Sequence, residues 1–352
     1  MQFRPAIEAD ADAWQAFLAA TSSGDFLHDW AWGDVAAFDR QPQRRYLLEE
    51  HGAVVAIVAA QARSLLGGHS FWYVPHGPVL DWAAPQAGAR VRALLIGLRI
   101  AAKQHRGIAV KIEPRLAMGV LEEGVIRGRR LRYVPETLQV GQTRIVELGD
   151  DEALLAGFDK DTRYGVRRAE REGVSVTVVD DADDGRAIDE LHQLVGETQR
   201  RAGFPMPPLE RYRVAWGALA GVGRAAILEA RREGELLASG MVAFEGARSY
   251  YLFSGSRREE RGESKRYASY ALQWEMMRLA RDRGVTQHDL WGIAPPGAGP
   301  EHAWHGVGLF KKGFGGIEII WAGSWDLVVD PTLYCLRAAT GIMRGWLGRL
   351  RR

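Results

Sequence analysis

One cysteine, Cys335, stands in 352 residues. A lone thiol excludes an intrachain disulfide and a cysteine-based zinc site, and it suits a reducing compartment. Long apolar runs are missing too, since no stretch approaches the roughly 18 consecutive apolar residues of a membrane span. The opening Met1-Gln2-Phe3-Arg4-Pro5, followed by Glu8, Asp10 and Asp12, lacks the basic-then-apolar order of a secretory signal. A cytoplasmic protein is the expectation from these absences. Charge of one sign is scarce: 46 Lys and Arg against 44 Asp and Glu leave a net +2. A pI of 8.7 leans basic, which fits a polyanionic partner without requiring one. No Gly-x-Ser-x-Gly elbow is present, and Cys335 sits in an amphipathic C-terminal segment away from any histidine, so a nucleophile triad is not expected. His302-x-x-His305 falls in a Gly/Pro-rich loop over residues 294–308 with no third ligand at motif spacing, so no zinc site is expected there.

What is present is the composition of a globular protein, 47% hydrophobic and 26% charged, long enough for one large domain or two ordinary ones. The same layout occurs twice. Gly52-Ala53-Val54-Val55-Ala56 opens a strand pair running to Phe71-Trp72-Tyr73-Val74. A Gly77-Pro78 break follows, then a helix over about Ala87–Gln104, Arg106-Gly107, and a strand over 108–112. Gly234-Glu235-Leu236-Leu237-Ala238 opens the second pair, running to Tyr250-Tyr251-Leu252-Phe253. Gly255-Ser256, a helix over about 267–281, Arg283-Gly284 and a strand over 286–290 complete it. Tyr73 to Gly107 is 34 positions and Tyr251 to Gly284 is 33. The strands are rich in β-branched and small residues, and Leu272, Met276 and Leu279 share a helical face. Hairpin, long helix, strand resembles half of a GNAT-type N-acyltransferase. The expected fold is therefore α/β, two duplicated GNAT-like domains over 1–141 and 142–330, with a basic amphipathic tail over 331–352. Between the halves, 142–148 reads as a strand, Asp150 as a helix cap, and Arg163 and Arg167 as one helical face. A further helix is expected over Gly185–Ala202.

Several ordered motifs, spread over most of the chain, resemble those of the FemABX aminoacyltransferase family. They are Phe26-Leu27-His28-Asp29-Trp30-Ala31-Trp32, Trp72-Tyr73-Val74-Pro75-His76-Gly77-Pro78, Lys111-Ile112-Glu113-Pro114, Gln142-Thr143 and Arg163…Arg167. Ala271-Leu272-Gln273-Trp274-Glu275, Asp289-Leu290-Trp291-Gly292-Ile293 and Phe310-Lys311-Lys312-Gly313-Phe314-Gly315-Gly316 follow. No long heptad segment is present, so the helical arm of some family members is not expected. His76 stands where the family's arginine is usual, Glu113 replaces an aspartate, and Val35-Ala36-Ala37 replace a basic position after the N-terminal Trp. Pro208 takes the place of an arginine before Tyr212. The resemblance assigns such basic groups to the acceptor's pyrophosphate, so the acceptor differs or Arg211, Arg257 or Arg258 substitutes.

The resemblance implies transfer of an amino acid from aminoacyl-tRNA to the peptide of a peptidoglycan precursor, either UDP-MurNAc-peptide or lipid II, by a monomer with no cofactor. The amine must be neutral to attack, and the oxyanion that forms needs a positive neighbour. Lys311 is the candidate cation, Phe310 the aromatic face for the terminal adenine or acyl group, and Asp289 an orienting carboxylate. Glu113, Tyr212, Tyr267, Tyr270, Arg257, Trp32 and His76 are candidates for the acceptor. Arg163, Arg167 and Lys312 are candidates for tRNA phosphates. Each has a plainer reading: Phe310, the tyrosines and Trp32 as packing, the arginines as a solvated face, Asp289 as a turn cap. Glycines 313, 315 and 316 would let a ligand approach closely. The tail alternates Leu333, Leu336, Met343, Trp346, Leu347 and Leu350 with arginines, a pattern able to touch an anionic bilayer. Three rivals remain. An acyl-CoA transferase would carry a Gln/Arg-x-x-Gly-x-Gly/Ala turn, which is absent; the others are a Fem-like enzyme of another envelope or exopolysaccharide pathway, and a non-catalytic precursor- or RNA-binding module.

Overall fold

The computed structural model describes residues 1–118, 131–134, 136–181, 185–203, 206–257, 267–337 and 339. They form two compact units. One comprises the described residues within 1–30, 40–139 and 321–352, the other those within 31–39 and 140–320.

The sheet of the first unit runs Gln2–Pro5, Gln43–Glu50, Ala53–Ser64, Ser70–Val74, Gly107–Ile112, Ser324–Val328, Leu131–Val134, with Val79–Leu80 paired to Ala53–Ser64. The sheet of the second runs Ile317–Ile320, Gln142–Glu147, Gln287–Gly292, Arg248–Ser256, Glu235–Glu245, Ala225–Arg232, Ser175–Val179. The duplication is visible in the pairing. Each sheet has a parallel pair among antiparallel neighbours, Ser70–Val74 with Gly107–Ile112 and Arg248–Ser256 with Gln287–Gly292. A parallel pair needs a long crossover, and the helices Ala87–Gln104 and Ala268–Asp282 supply it. Their inner faces close the cores: Val91, Leu94, Leu95 and Leu98 meet Val58, Trp72 and Val110 in one unit. Leu272 and Met276 meet Ala226, Leu228 and Val242 in the other.

The connecting region folds as its sequence suggests. Asp150 accepts from the Ala153 amide at 2.8 Å to cap Asp151–Gly157, and Asp159 does the same for Lys160–Arg171 through Thr162 at 2.6 Å. Gly185–Ala202 is a helix.

Two segments lie away from the half that linear reading assigned them. Ser324–Val328, placed by sequence in the 142–330 half, pairs with Gly107–Ile112. Lys111 is the physical reason, since a buried ammonium needs a counter-ion: it meets Asp326 at 3.0 Å and Ser324 Oγ at 3.0 Å, and Tyr334 donates to Asp326 at 2.7 Å. Trp32–Phe38 packs on Leu209–Ala220 in the second unit, joined there by Arg211 to Asp39 at 2.9 Å. Most of the tail beyond Arg337 lies outside the described residues, as does Arg258. Among the described residues no helix is long and apolar enough to cross a membrane.

Candidate active site

Five elements of the second unit converge on one cavity of about 420 Å³. Gln287–Gly292 ends in a bulge against Gln142–Glu147. Within it Trp291 has φ 61°, a conformation that costs a bulky residue free energy and recurs at functional sites. The bulge leaves the Gly292 carbonyl to accept from Lys311 Nζ at 2.7 Å. Lys311 lies in the last turn of the helix His305–Gly313 and is only 6% exposed. Residues 305–308, expected as loop, are helical. Lys312, one position on, is exposed.

The electrostatics of Lys311 follow from its burial. Desolvation pulls its ammonium down to about 7, and only the Asp289 carboxylate opposes the fall. Asp289 is itself buried and held, accepting from the Thr143 hydroxyl and, at 2.8 Å, from the Trp291 amide. The ammonium also lies 5.7 Å from the Tyr251 ring centroid, within cation–π range. On the adjacent strand position, His288 is fully buried and held at about 3 by desolvation and the nearby Lys311 charge. Its Nε2 accepts from the Gln273 amide at 2.6 Å, so Nδ1 carries the proton to Ser249 Oγ at 2.7 Å. The pair ties the strand carrying Asp289 to the crossover helix and to its parallel neighbour.

Phe310 and Lys311 both line the cavity, with Tyr251, Trp291 and Trp304 as further walls and Ser254 and Ser269 as polar points. Phe310 is half-buried: its ring meets Tyr270 at 5.2 Å and Phe314 at 5.1 Å. Tyr270 in turn meets Tyr267 at 5.8 Å, and burial raises its hydroxyl above the usual tyrosine range. The structure thus brings Lys311, Phe310, Asp289, Tyr270 and Tyr267 into one neighbourhood. Asp159, which caps the helix of Arg163, donates its amide to the Gly313 carbonyl at 2.8 Å. Arg163 itself donates to the Phe158 carbonyl, while Arg167 is exposed.

Other candidates sit elsewhere. Tyr212 is buried against His192 and Phe253, at 4.9 and 4.3 Å, and burial raises its hydroxyl to about 12. Trp32 is buried, and Trp72 belongs to the first core. Arg257 pairs with Glu235 at 2.8 Å. In the first unit, His76 is buried and bonded to Asp25. Glu113 accepts from Tyr73 at 2.6 Å, Leu138 at 2.6 Å and Gln139 at 3.0 Å, so both its oxygens hold the chain together. The glycines after Lys311 serve packing: a Cβ on Gly315 or Gly316 would sit 2.3 Å from the carbonyl of Gly157 or Ile145. His302 accepts from the Trp304 amide at 3.1 Å, and no metal-ligand cluster occurs among the described residues. Tyr251, Trp304, Ser254 and Ser269 were not singled out from sequence. For Tyr251 a signal existed, because strand alternation that buries Tyr250 turns its neighbour to the other face.

The architecture and the cavity define a tandem acyltransferase fold of the GNAT kind. A crystal structure of FemX superposes with a TM-score of 0.85 at 19% identity, covering 96% of this chain and 99% of that one. A tandem GNAT protein from the clavulanic acid biosynthesis pathway superposes at 0.52 with 14% identity, covering 94% and 99%. In sequence, the FemAB family pattern matches residues 224–340. The UDP-N-acetylmuramoylpentapeptide-lysine N(6)-alanyltransferase of Weissella viridescens is 24% identical over 336 residues, 92% of this chain and 95% of that one. The lipid II:glycine glycyltransferase of Staphylococcus aureus is 23% identical over 403 residues, covering 91% and 92%. The family pattern, these relatives and the FemX superposition agree on what this chain resembles, the FemABX family.

Proposed function

We propose that this protein is an aminoacyltransferase that moves an amino acid from aminoacyl-tRNA onto an amine in the peptide of a peptidoglycan precursor. The observation that carries the reading is Lys311: a buried lysine, balanced near neutrality, in an aromatic-walled cavity beside an oriented carboxylate. The relatives named above support the reaction class and the kind of acceptor.

In the reaction a neutral amine nitrogen attacks the ester carbonyl carbon, whose electrons move to oxygen. The oxyanion collapses, the carbon–oxygen bond to the ribose breaks, and the proton lost by the amine ends on the ribose oxygen. An ester is already activated, so placement and charge do most of what is needed. Protonated Lys311 faces the developing oxyanion, and Asp289 keeps its charge from being lost to burial. Gly292 fixes its direction. Phe310 and Tyr251 offer faces to the adenine or acyl group. Arg163, Arg167 and Lys312 supply cations for tRNA phosphates, and Tyr267 and Tyr270 donors for the acceptor peptide. A tRNA donor puts the reaction in the cytoplasm.

The acceptor's phosphate is held differently from the family pattern. His76 is bonded to Asp25, Arg211 to Asp39 and Arg257 to Glu235, so each basic candidate among the described residues already has a carboxylate. The test is transfer of radiolabelled amino acid from a charged tRNA pool to UDP-MurNAc-pentapeptide and, in parallel, to lipid II. Incorporation abolished by RNase and by Lys311→Met supports the reading and identifies the acceptor. No incorporation into either by folded protein overturns it in favour of another envelope acceptor or a binding module.

A further inference from the structure

The helix Ala87–Gln104 has the inner face of a crossover helix but an unusual outer one. Its sequence holds Arg90, Arg92, Arg99 and Lys103 and no acidic residue. Arg90 pairs with Glu50 at 3.0 Å. Arg92, Arg99 and Lys103 have no carboxylate partner among the described residues. At 3.6 residues per turn these three fall in one row, and Ile96 and Ile100 fall in a row beside it, together within roughly a 100° arc. The isoleucines are 61% and 55% exposed. Past the helix end, Arg106 donates to the Gly67 carbonyl at 3.1 Å, which sets the turn Leu66–Gly68 beside it with Leu66 91% exposed.

A solvated helix face normally mixes acidic, basic and neutral polar groups. Here the outward arc offers only cations and aliphatic groups, which is the composition of a helix lying in a membrane interface. We propose that this face docks on an anionic phospholipid bilayer, with the helix axis in the membrane plane. The basic row meets lipid phosphates while Ile96 and Ile100 enter the boundary between headgroups and chains. Bound RNA would engage the cations but leave both isoleucines in water, so the apolar row favours lipid. The inference stands apart from the reading of the reaction, because vesicle binding requires neither tRNA nor acceptor.

The test is co-sedimentation of the full chain with phosphatidylcholine vesicles lacking or containing phosphatidylglycerol, for wild type, I96Q/I100Q and R92Q/R99Q/K103Q. Urea unfolding of each variant confirms folding. Wild type binds the anionic vesicles at least about tenfold better than the neutral ones, and each variant loses about tenfold. Binding that is unchanged in both variants overturns the proposal and leaves membrane contact to the tail. Loss in the arginine–lysine variant alone, with tRNA competing the vesicles away, assigns the face to RNA instead.

Discussion

Replacing Lys311 with methionine removes the ammonium and keeps the length of the side chain. At about 1.4 kcal/mol per pKa unit, the fall from 10.5 to about 7 makes the charged form cost roughly 5 kcal/mol in the folded state. Between these values the unfolded chain holds a proton that the folded protein has released, so stability rises as pH climbs from 7 to 10.5. Lys311→Met abolishes that slope. Near pH 7 it relieves most of the cost, against about 1–3 kcal/mol for leaving the Gly292 carbonyl without its donor. The variant is therefore as stable as wild type or a few kcal/mol more so (roughly), yet its kcat falls about 10²–10³-fold, the usual loss for one oxyanion donor. The pH profile separates this role from a structural one. With a lysine-like attacking amine, the neutral fraction grows about tenfold per pH unit up to its pKa near 10.4. The protonated fraction of Lys311 shrinks at the same rate above about 7. Wild-type kcat thus climbs to about pH 7 and then levels. Lys311→Arg, whose charge persists, keeps climbing whatever its absolute rate. Single-turnover transfer from pre-charged tRNA over pH 6–9 (roughly) reads this directly. A Lys311→Met enzyme within about threefold of wild type, or a wild-type profile without the bend, refutes the reasoning.

Asp289→Asn removes the carboxylate that holds the Lys311 proton, so the bend moves to lower pH and kcat at pH 7 falls; an unmoved bend rejects the coupling. Gly316→Ala puts a side chain at φ 73° and 2.3 Å from the Ile145 carbonyl, and should cost at least about 2 kcal/mol in urea unfolding. His28 and His288 are held neutral, at about 4 and 3 against 6.5 unfolded, chiefly by burial. Stability contributed by their neutral forms is complete above 6.5 and lost as pH falls toward those values, about 2 kcal/mol for each at pH 5. Urea midpoints that do not drop between pH 7 and 5 contradict this, and His288→Gln should flatten the drop for the second unit.

Much of the fold could be read along the chain because its signals are local. Ala87–Gln104 and Gly185–Ala202 carry helical periodicity, Asp150 caps as its position suggested, and two hairpins with matched spacing announced the duplication. Ser324–Val328 could not be placed, because strand pairing across two hundred residues leaves no mark in the strand itself; a buried Lys111 seeking Asp326 decided it. Glycines 315 and 316 were legible as required but not why, since a positive φ looks alike whether ligand or backbone approaches. Glu113 and Tyr212 show the same limit: a strand-end carboxylate and a helical tyrosine became chain-holding and packing groups once their neighbours were known.

The sequence by itself determined the two α/β units, their repeated order, and a short set of residue types suited to acyl transfer. Tertiary structure alone decided which of two adjacent lysines is buried. Lys311 and Lys312 are chemically identical in the chain, but the rotation of His305–Gly313 buries the first against Gly292 and leaves the second in water. Burial, which no local pattern encodes, is what brings the pKa of Lys311 down to about 7.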